Sequence, residues 1–253
     1  MFTLTSHNEP ETLSIGRVLA TIARPGDLIA IDGPLGAGKT RLVRGLALGL
    51  GFDAGVVSSP TYVVVNEYVR GAGGGEADEP VRLFHADAYR LTSADDLDSL
   101  GWERIIDGSA IVAIEWAERI APALVEAETQ RELPVWRVRM DPVTDASENE
   151  GMTLRRVTIE PPRAGAWAAR EGAAELRRLA AVLGEGASPG PDQRLPRGWA
   201  RCPATGKPVP PDSATFPFAD DRARMADLGR WMSGAYTISR ELTQDDEDKS
   251  TGA

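Results

Sequence analysis

One cysteine, Cys202, stands in a chain of 253 residues, so no disulfide can form within it and cysteine usage gives no support to secretion. No apolar run approaches the roughly 20 residues that a membrane helix needs. The first residues, Met1 to His7, have neither a basic start nor an apolar stretch, and no signal peptide is expected from them. A surplus of positive charge is also missing. The net charge is −10, which argues against unaided gripping of a nucleic-acid backbone. Part of that acidity lies in Asp245, Asp246, Glu247 and Asp248, which read as a solvated terminus. There is no internal repeat. With a hydrophobic content of 42%, the expectation is a cytoplasmic protein with a core of ordinary size and no membrane partner.

What is present is an alternation of strand-like and helix-like segments. Thr12 to Ala23 places Ile15, Val18, Leu19 and Ile22 on one helical face, and Pro25-Gly26 ends it. Asp27 to Asp32 is a short apolar strand. A helix follows from about Lys39 to Leu50. Thr61 to Val69 and Val81 to Ala86 read as partner strands around a glycine-rich turn at Gly71 to Gly75. Ala94 to Ile106 is helix-like, and Ala110 to Ile114 is a buried strand stopping at Glu115. Val135 to Met140 and Leu154 to Glu160 read as two more strands. Ala164 to Leu183 reads as a charged, alanine-rich helix, and Gly184 to Pro196 as a linker.

Between the first strand and its helix lies Gly33-Pro34-Leu35-Gly36-Ala37-Gly38-Lys39-Thr40, which fits the phosphate-loop pattern G-x-x-x-x-G-K-[ST]. Each fixed position has a chemical reason. Gly33, Gly36 and Gly38 let the backbone turn tightly, so that its N–H groups, including those of Leu35 and Ala37, aim at an anion. The helix that follows adds its positive end. Lys39 reaches for the β- and γ-phosphates, and the Thr40 hydroxyl for Mg²⁺. Such a loop needs acidic partners, and Asp87 and Glu115 both end apolar strands, where the ligand crevice of an open α/β sheet lies. His85 reads as a packed strand histidine rather than a base.

The ordered motifs resemble one family. The phosphate loop is followed by Ser59-Pro60-Thr61-Tyr62, then His85-Ala86-Asp87-Ala88-Tyr89-Arg90-Leu91. Next come Leu97-Asp98-Ser99-Leu100-Gly101-Trp102-Glu103 and Ile114-Glu115-Trp116-Ala117-Glu118. Over roughly residues 1 to 160 this is similar to the TsaE family, the ATPase subunit of the bacterial machinery that makes N6-threonylcarbamoyladenosine in tRNA. The resemblance implies an α/β P-loop NTPase fold with a central, mostly parallel sheet flanked by helices. It implies an ATPase, weak alone, that uses ATP and Mg²⁺ and acts with TsaD and TsaB, meeting tRNA only through that complex. It carries over Lys39 and Thr40 as phosphate and Mg²⁺ ligands, Thr61 as part of a switch-like loop, and Trp116 as the aromatic beside the site. Asp87 and Glu115 match the acids at the Mg²⁺ and catalytic centre. Asn8 or Glu9, with Arg155 or Arg156, fall near the adenine pocket. Two positions depart from the family: Pro34, which lacks an N–H, stands where Asp is usual, and Arg41 stands where a second Thr is usual.

A second resemblance opens at Cys202-Pro-Ala-Thr205 and continues through Phe216-Pro-Phe218 to Trp231, Tyr236 and Ile238. It is to the YacG family, small zinc ribbons described as gyrase inhibitors. Of its four ligand positions only Cys202 survives, with Thr205, Ala219 and Ala223 at the others. A structural zinc needs about four N or S ligands, so no zinc is expected, and gyrase binding is not expected either. The division that follows is a P-loop ATPase domain over 1–162 and a helix and linker over 163–196. A metal-free ribbon over 197–240 and an acidic, disordered tail over 241–253 complete it. Two other readings use the same loop: a small-molecule kinase, for which no lid segment is visible, and a nucleotide-dependent binding module without useful hydrolysis.

Overall fold

The computed structural model describes residues 1–53, 55, 57–58, 60, 65–71, 80–91, 94–143, 154–163, 166–184, 187 and 194–232. Strand β1 (Phe2–Ser6) leads into helix α1 (Glu9–Ile22), strand β2 (Leu28–Asp32) and helix α2 (Lys39–Gly49). Strands β3 (Val65–Arg70) and β4 (Val81–Asp87) follow, then short helices α3 (Ala94–Ser99) and α4 (Trp102–Ile105) and strand β5 (Ile111–Glu115). Helix α5 (Ala121–Gln130), strands β6 (Val135–Val143) and β7 (Leu154–Glu160), and helix α6 (Ala173–Leu183) complete the main body. A small C-terminal unit holds β8 (Ala200–Arg201), β9 (Pro208–Val209) and α7 (Asp221–Met232).

The seven strands of the main sheet run in the order β1-β7-β6-β2-β5-β4-β3. The middle four are parallel, and the antiparallel pairings lie towards the edges. The expected α/β architecture is present, with a sheet that is parallel where the phosphate loop leaves it. Strands β2 and β5 are apolar almost throughout because both their faces are covered. One face, through Ile29, Ile31 and Ala113, packs under α1, α2 and α6. The other, through Leu28, Ala30, Val112 and Ile114, packs under α3, α4 and α5.

Helix α1 begins earlier than its apolar periodicity implies, because Asn8 caps it by accepting the Glu11 N–H at 2.9 Å and Pro10 fits the first turn. It crosses α2 with backbones in contact. A Cβ added at Gly16 would lie 2.2 Å from the Leu42 carbonyl oxygen, and one at Gly45 would lie 2.2 Å from that of Leu13. Two expected helices are shorter than the pattern suggests. Ala94 to Ile106 breaks into α3 and α4 at Gly101, whose φ of 71° no helix accommodates. Ala164 to Leu183 keeps only α6 as α-helix, because Arg170 leaves the helical path to pair with buried Asp27, its Nη2 3.1 Å from Oδ1. In the main body, β1 and α5 have no counterpart in the sequence reading.

The C-terminal unit leans on the body. Arg17 of α1 grips Asp212 with two bonds, at 3.0 and 2.9 Å. The Arg197 N–H donates to Glu175 of α6, and Leu195 and Trp199 pack against the main core. Its own interior is small: Cys202, Val209 and Ala223 are buried, with Ala204, Phe218 and Ala219 around them.

Candidate functional site: a phosphate loop and two strand-end acids

Strands β2, β5 and β4 lie side by side and end together. In the parallel register Ile31 pairs with Glu115, and Glu115 with Asp87. The chain therefore leaves β2 into the phosphate loop within one strand spacing of one carboxylate and two of the other. Gly33, Gly36 and Gly38 all have positive φ, at 144°, 77° and 101°. Gly33 must also lack a side chain, since a Cβ there would lie 2.2 Å from the Met140 carbonyl oxygen of β6. Gly38 caps α2 without a side chain, so no side chain competes for the first-turn N–H groups. Leu35 forms the apex, 90% exposed, while Ala37 is buried beneath it and its N–H closes the turn on the Pro34 carbonyl at 3.1 Å.

Lys39 is buried, and its Nζ donates to the carbonyl oxygens of Gly33 and Pro34 at 2.6 and 2.9 Å. The ammonium also lies 3.6 Å from the centre of the Trp116 ring. Burial pushes its pKa below the ordinary lysine value, partly offset by the negative field of Glu115, Glu118, Asp87 and Asp32. Trp116 holds this place by adopting a left-handed backbone, φ 58°, directly after β5. Its other neighbour is Tyr89, with ring centres 4.9 Å apart.

Thr40 Oγ1 donates to Glu115 Oε2 at 3.1 Å, and the other carboxylate oxygen of Glu115 lies 2.8 Å from His85 Nε2. Asp87 is buried and spends one oxygen accepting the Tyr89 N–H at 3.0 Å, capping the turn after β4. A hydroxyl and two carboxylates form a hard-oxygen donor set of the kind Mg²⁺ takes. The open face of the site is a cleft of about 310 Å³ lined by Glu9, Thr12, Thr40, Arg44, Glu115 and Arg155. Arg41 also borders it and is ion-paired to Glu9. Of the residues expected near the adenine end, Asn8 is committed to its cap, while Glu9 and, of the arginine pair Arg155 and Arg156, Arg155 line the cleft. Thr61 lies outside the described residues.

The structure thus brings Gly33, Gly36, Gly38, Lys39, Thr40, Asp87, Glu115 and Trp116 to one place. Two neighbours had no role in the sequence reading. Glu118 donates its N–H to Asp32 Oδ1 at 2.8 Å. Burial, then the hydrogen bond shared with the Asp32 side chain, raises its pKa to about 7. His85 is the other, and a signal for it existed. Alternate residues of a strand share a face, so His85 must face the same way as Asp87.

A family model described as threonylcarbamoyl adenosine biosynthesis protein TsaE matches residues 6–141. A second, described as DNA gyrase inhibitor YacG, matches residues 200–249. The tRNA threonylcarbamoyladenosine biosynthesis protein TsaE of Bacillus subtilis is 35% identical over 123 residues, spanning 49% of this chain and 71% of that protein. Its counterpart in Streptomyces coelicolor is 38% identical over 146 residues, spanning 57% of this chain and 86% of that protein. Among solved structures, Bacillus subtilis YdiB aligns with a TM-score of 0.47 at 25% identity, over 70% of this chain and 93% of that one.

Proposed function

The chain belongs to the TsaE family, with a role in threonylcarbamoyladenosine modification of tRNA, and we propose that it serves that pathway by binding and hydrolysing ATP with Mg²⁺. The observation that carries this reading is the convergence of Lys39, Thr40, Asp87 and Glu115 at the ends of β2, β4 and β5. Thr40 and Glu115, with Asp87 beside them, would hold Mg²⁺, which neutralises phosphate charge when bound. Lys39 is stored against two carbonyls and an aromatic face, partners that phosphate oxygens outbid by carrying full charge. Its lowered pKa makes it a group that gains from an anionic partner.

Hydrolysis breaks the bond between the γ-phosphorus and its bridging oxygen. Water adds to phosphorus, ADP leaves, and a proton is released. Asp87 and Glu115 are the groups able to orient that water. The reaction is slow without partners, and TsaD and TsaB are the proteins expected to accelerate it in the cytoplasm. The test is ATP turnover by the full chain with and without purified TsaD and TsaB, alongside modified tRNA. Stimulation of both supports the reading. ATP binding with no stimulation by these partners would assign the chain to a binding role instead.

The zinc implied by the ribbon resemblance does not fit the residues present. The whole chain has one cysteine, and Ala223 and Ala219 lie in the small interior where two of the other thiolates would stand. Burial pushes the Cys202 thiol up, but hydrogen bonds from the Thr205 side chain and the N–H groups of Ala219, Ala204 and Thr205 bring it below its ordinary value. These donors surround the sulfur within the small interior.

A further inference from the structure

His85 is fully buried on β4, facing α2 among the apolar side chains of the larger core cluster. In the parallel register it sits beside Ala113, so that Glu115, two residues on, is its diagonal neighbour. Its Nε2 meets Glu115 Oε1 at 2.8 Å, while its Nδ1 is buried with no hydrogen-bond partner among the described residues. That asymmetry fixes the ring. A bare lone pair at a dry Nδ1 is tolerable, whereas an N–H there would be a buried donor left unsatisfied. The proton therefore sits on Nε2 and is donated to Glu115.

Glu115 is held at both oxygens, but unequally. Oε1 is held from below by His85, and Oε2 takes the weaker bond from Thr40 Oγ1, at 3.1 Å. Without His85 the carboxylate could rotate and offer either oxygen. With it, a single oxygen is presented to the hydroxyl one residue past Lys39. On the reading that Thr40 and Glu115 hold the Mg²⁺ of a bound nucleotide, we infer that His85 is a positioning residue for that metal, acting through Glu115 and touching no substrate. A histidine serving only as core filling would need no carboxylate, and an apolar side chain would suit that face better.

The test is ATP affinity of the full chain measured in Mg²⁺ and again in EDTA. The wild-type protein gains affinity from Mg²⁺. His85→Phe keeps the ring and loses the donor. It should retain its EDTA affinity and lose roughly 10- to 100-fold of the Mg²⁺ gain. His85→Gln, whose amide can donate from a similar place, should recover most of it. An unchanged Mg²⁺ gain in His85→Phe, or an equal loss in both media, would overturn the inference. Lys39→Ala separates the two layers. If it binds ATP normally, the nucleotide site itself is misassigned. If it fails to bind while His85→Phe keeps its full Mg²⁺ gain, only the role of His85 falls. Should His85→Phe not fold, ¹⁵N NMR of the wild-type imidazoles decides. The chain has two histidines, so assignment is direct. An Nε2–H ring whose Nε2 shifts on adding Mg²⁺ and ATP sustains the inference, and a ring protonated at Nδ1 overturns it.

Discussion

The main body and the C-terminal ribbon solve the same problem with opposite means. The body buries two apolar layers, one on each face of its sheet, and can therefore hold Lys39, His85, Asp87 and Glu115 in dry positions. Among the described residues the ribbon has a hydrophobic cluster of three, Cys202, Val209 and Ala223, and borrows order from outside, through Arg17 to Asp212 and through Trp199 on the main core. Chemistry-bearing residues survive where the core can bear their burial. Where the core is small, Thr205, Ala219 and Ala223 stand at the positions where the zinc-ribbon resemblance places ligands, and the unit takes support from its neighbour.

The comparison can be broken at several points. The largest effect is expected from Gly45→Val, whose side chain would enter the Leu13 backbone. It should cost about 3 kcal/mol and lower the melting temperature by roughly 10 °C, read by calorimetry. Lys39→Ala should leave that melting temperature nearly unchanged and weaken ATP binding on the order of 100-fold, read by titration calorimetry. Arg17→Ala should loosen the ribbon alone. Hydrogen exchange in residues 200–232 should rise about fivefold, for a loss near 1 kcal/mol, with ATP affinity unaltered.

Glu118→Gln addresses the body's pH response. Its pKa, about 7 against an ordinary 4.5, means the native state holds that proton more tightly than the unfolded chain. The resulting stabilisation is complete below about 4.5 and is lost as pH rises through about 7. The variant should show a flatter stability profile across that window, by less than about 1 kcal/mol given the exposure of the side chain. The smallest effect is expected from chelation. EDTA should not shift the melting of the full chain, and metal analysis should find no stoichiometric zinc. A loss of ribbon protection on chelation would contradict the residue set.

Much of the body was legible because its signals are local. The phosphate loop occupies eight consecutive residues, and Asp87 and Glu115 announce themselves by ending apolar runs. The central strands follow from continuous hydrophobicity. What was not legible depends on partners far apart in the chain. Asp27 and Arg170 shorten an expected helix by meeting across 143 positions, and Arg17 and Asp212 join the ribbon to the body across 195. Local periodicity carries no trace of either. His85 lies between these cases. Its face was readable from alternation along β4, but its bond to Glu115 needed the register between two strands. Glu118 was hidden because its partner, Asp32, sits on a different strand end.

Gly16 and Arg17 are consecutive, and they face different parts of the molecule. At Gly16 the backbone of α1 rests on the backbone of α2, with no side chain between them to yield. At Arg17 the next side chain holds the ribbon. In mechanical terms α1 is an axle with a bearing on one side and a lever arm on the other. A pull on the ribbon is a torque on α1, and α1 cannot roll without carrying α2, whose first two residues are Lys39 and Thr40.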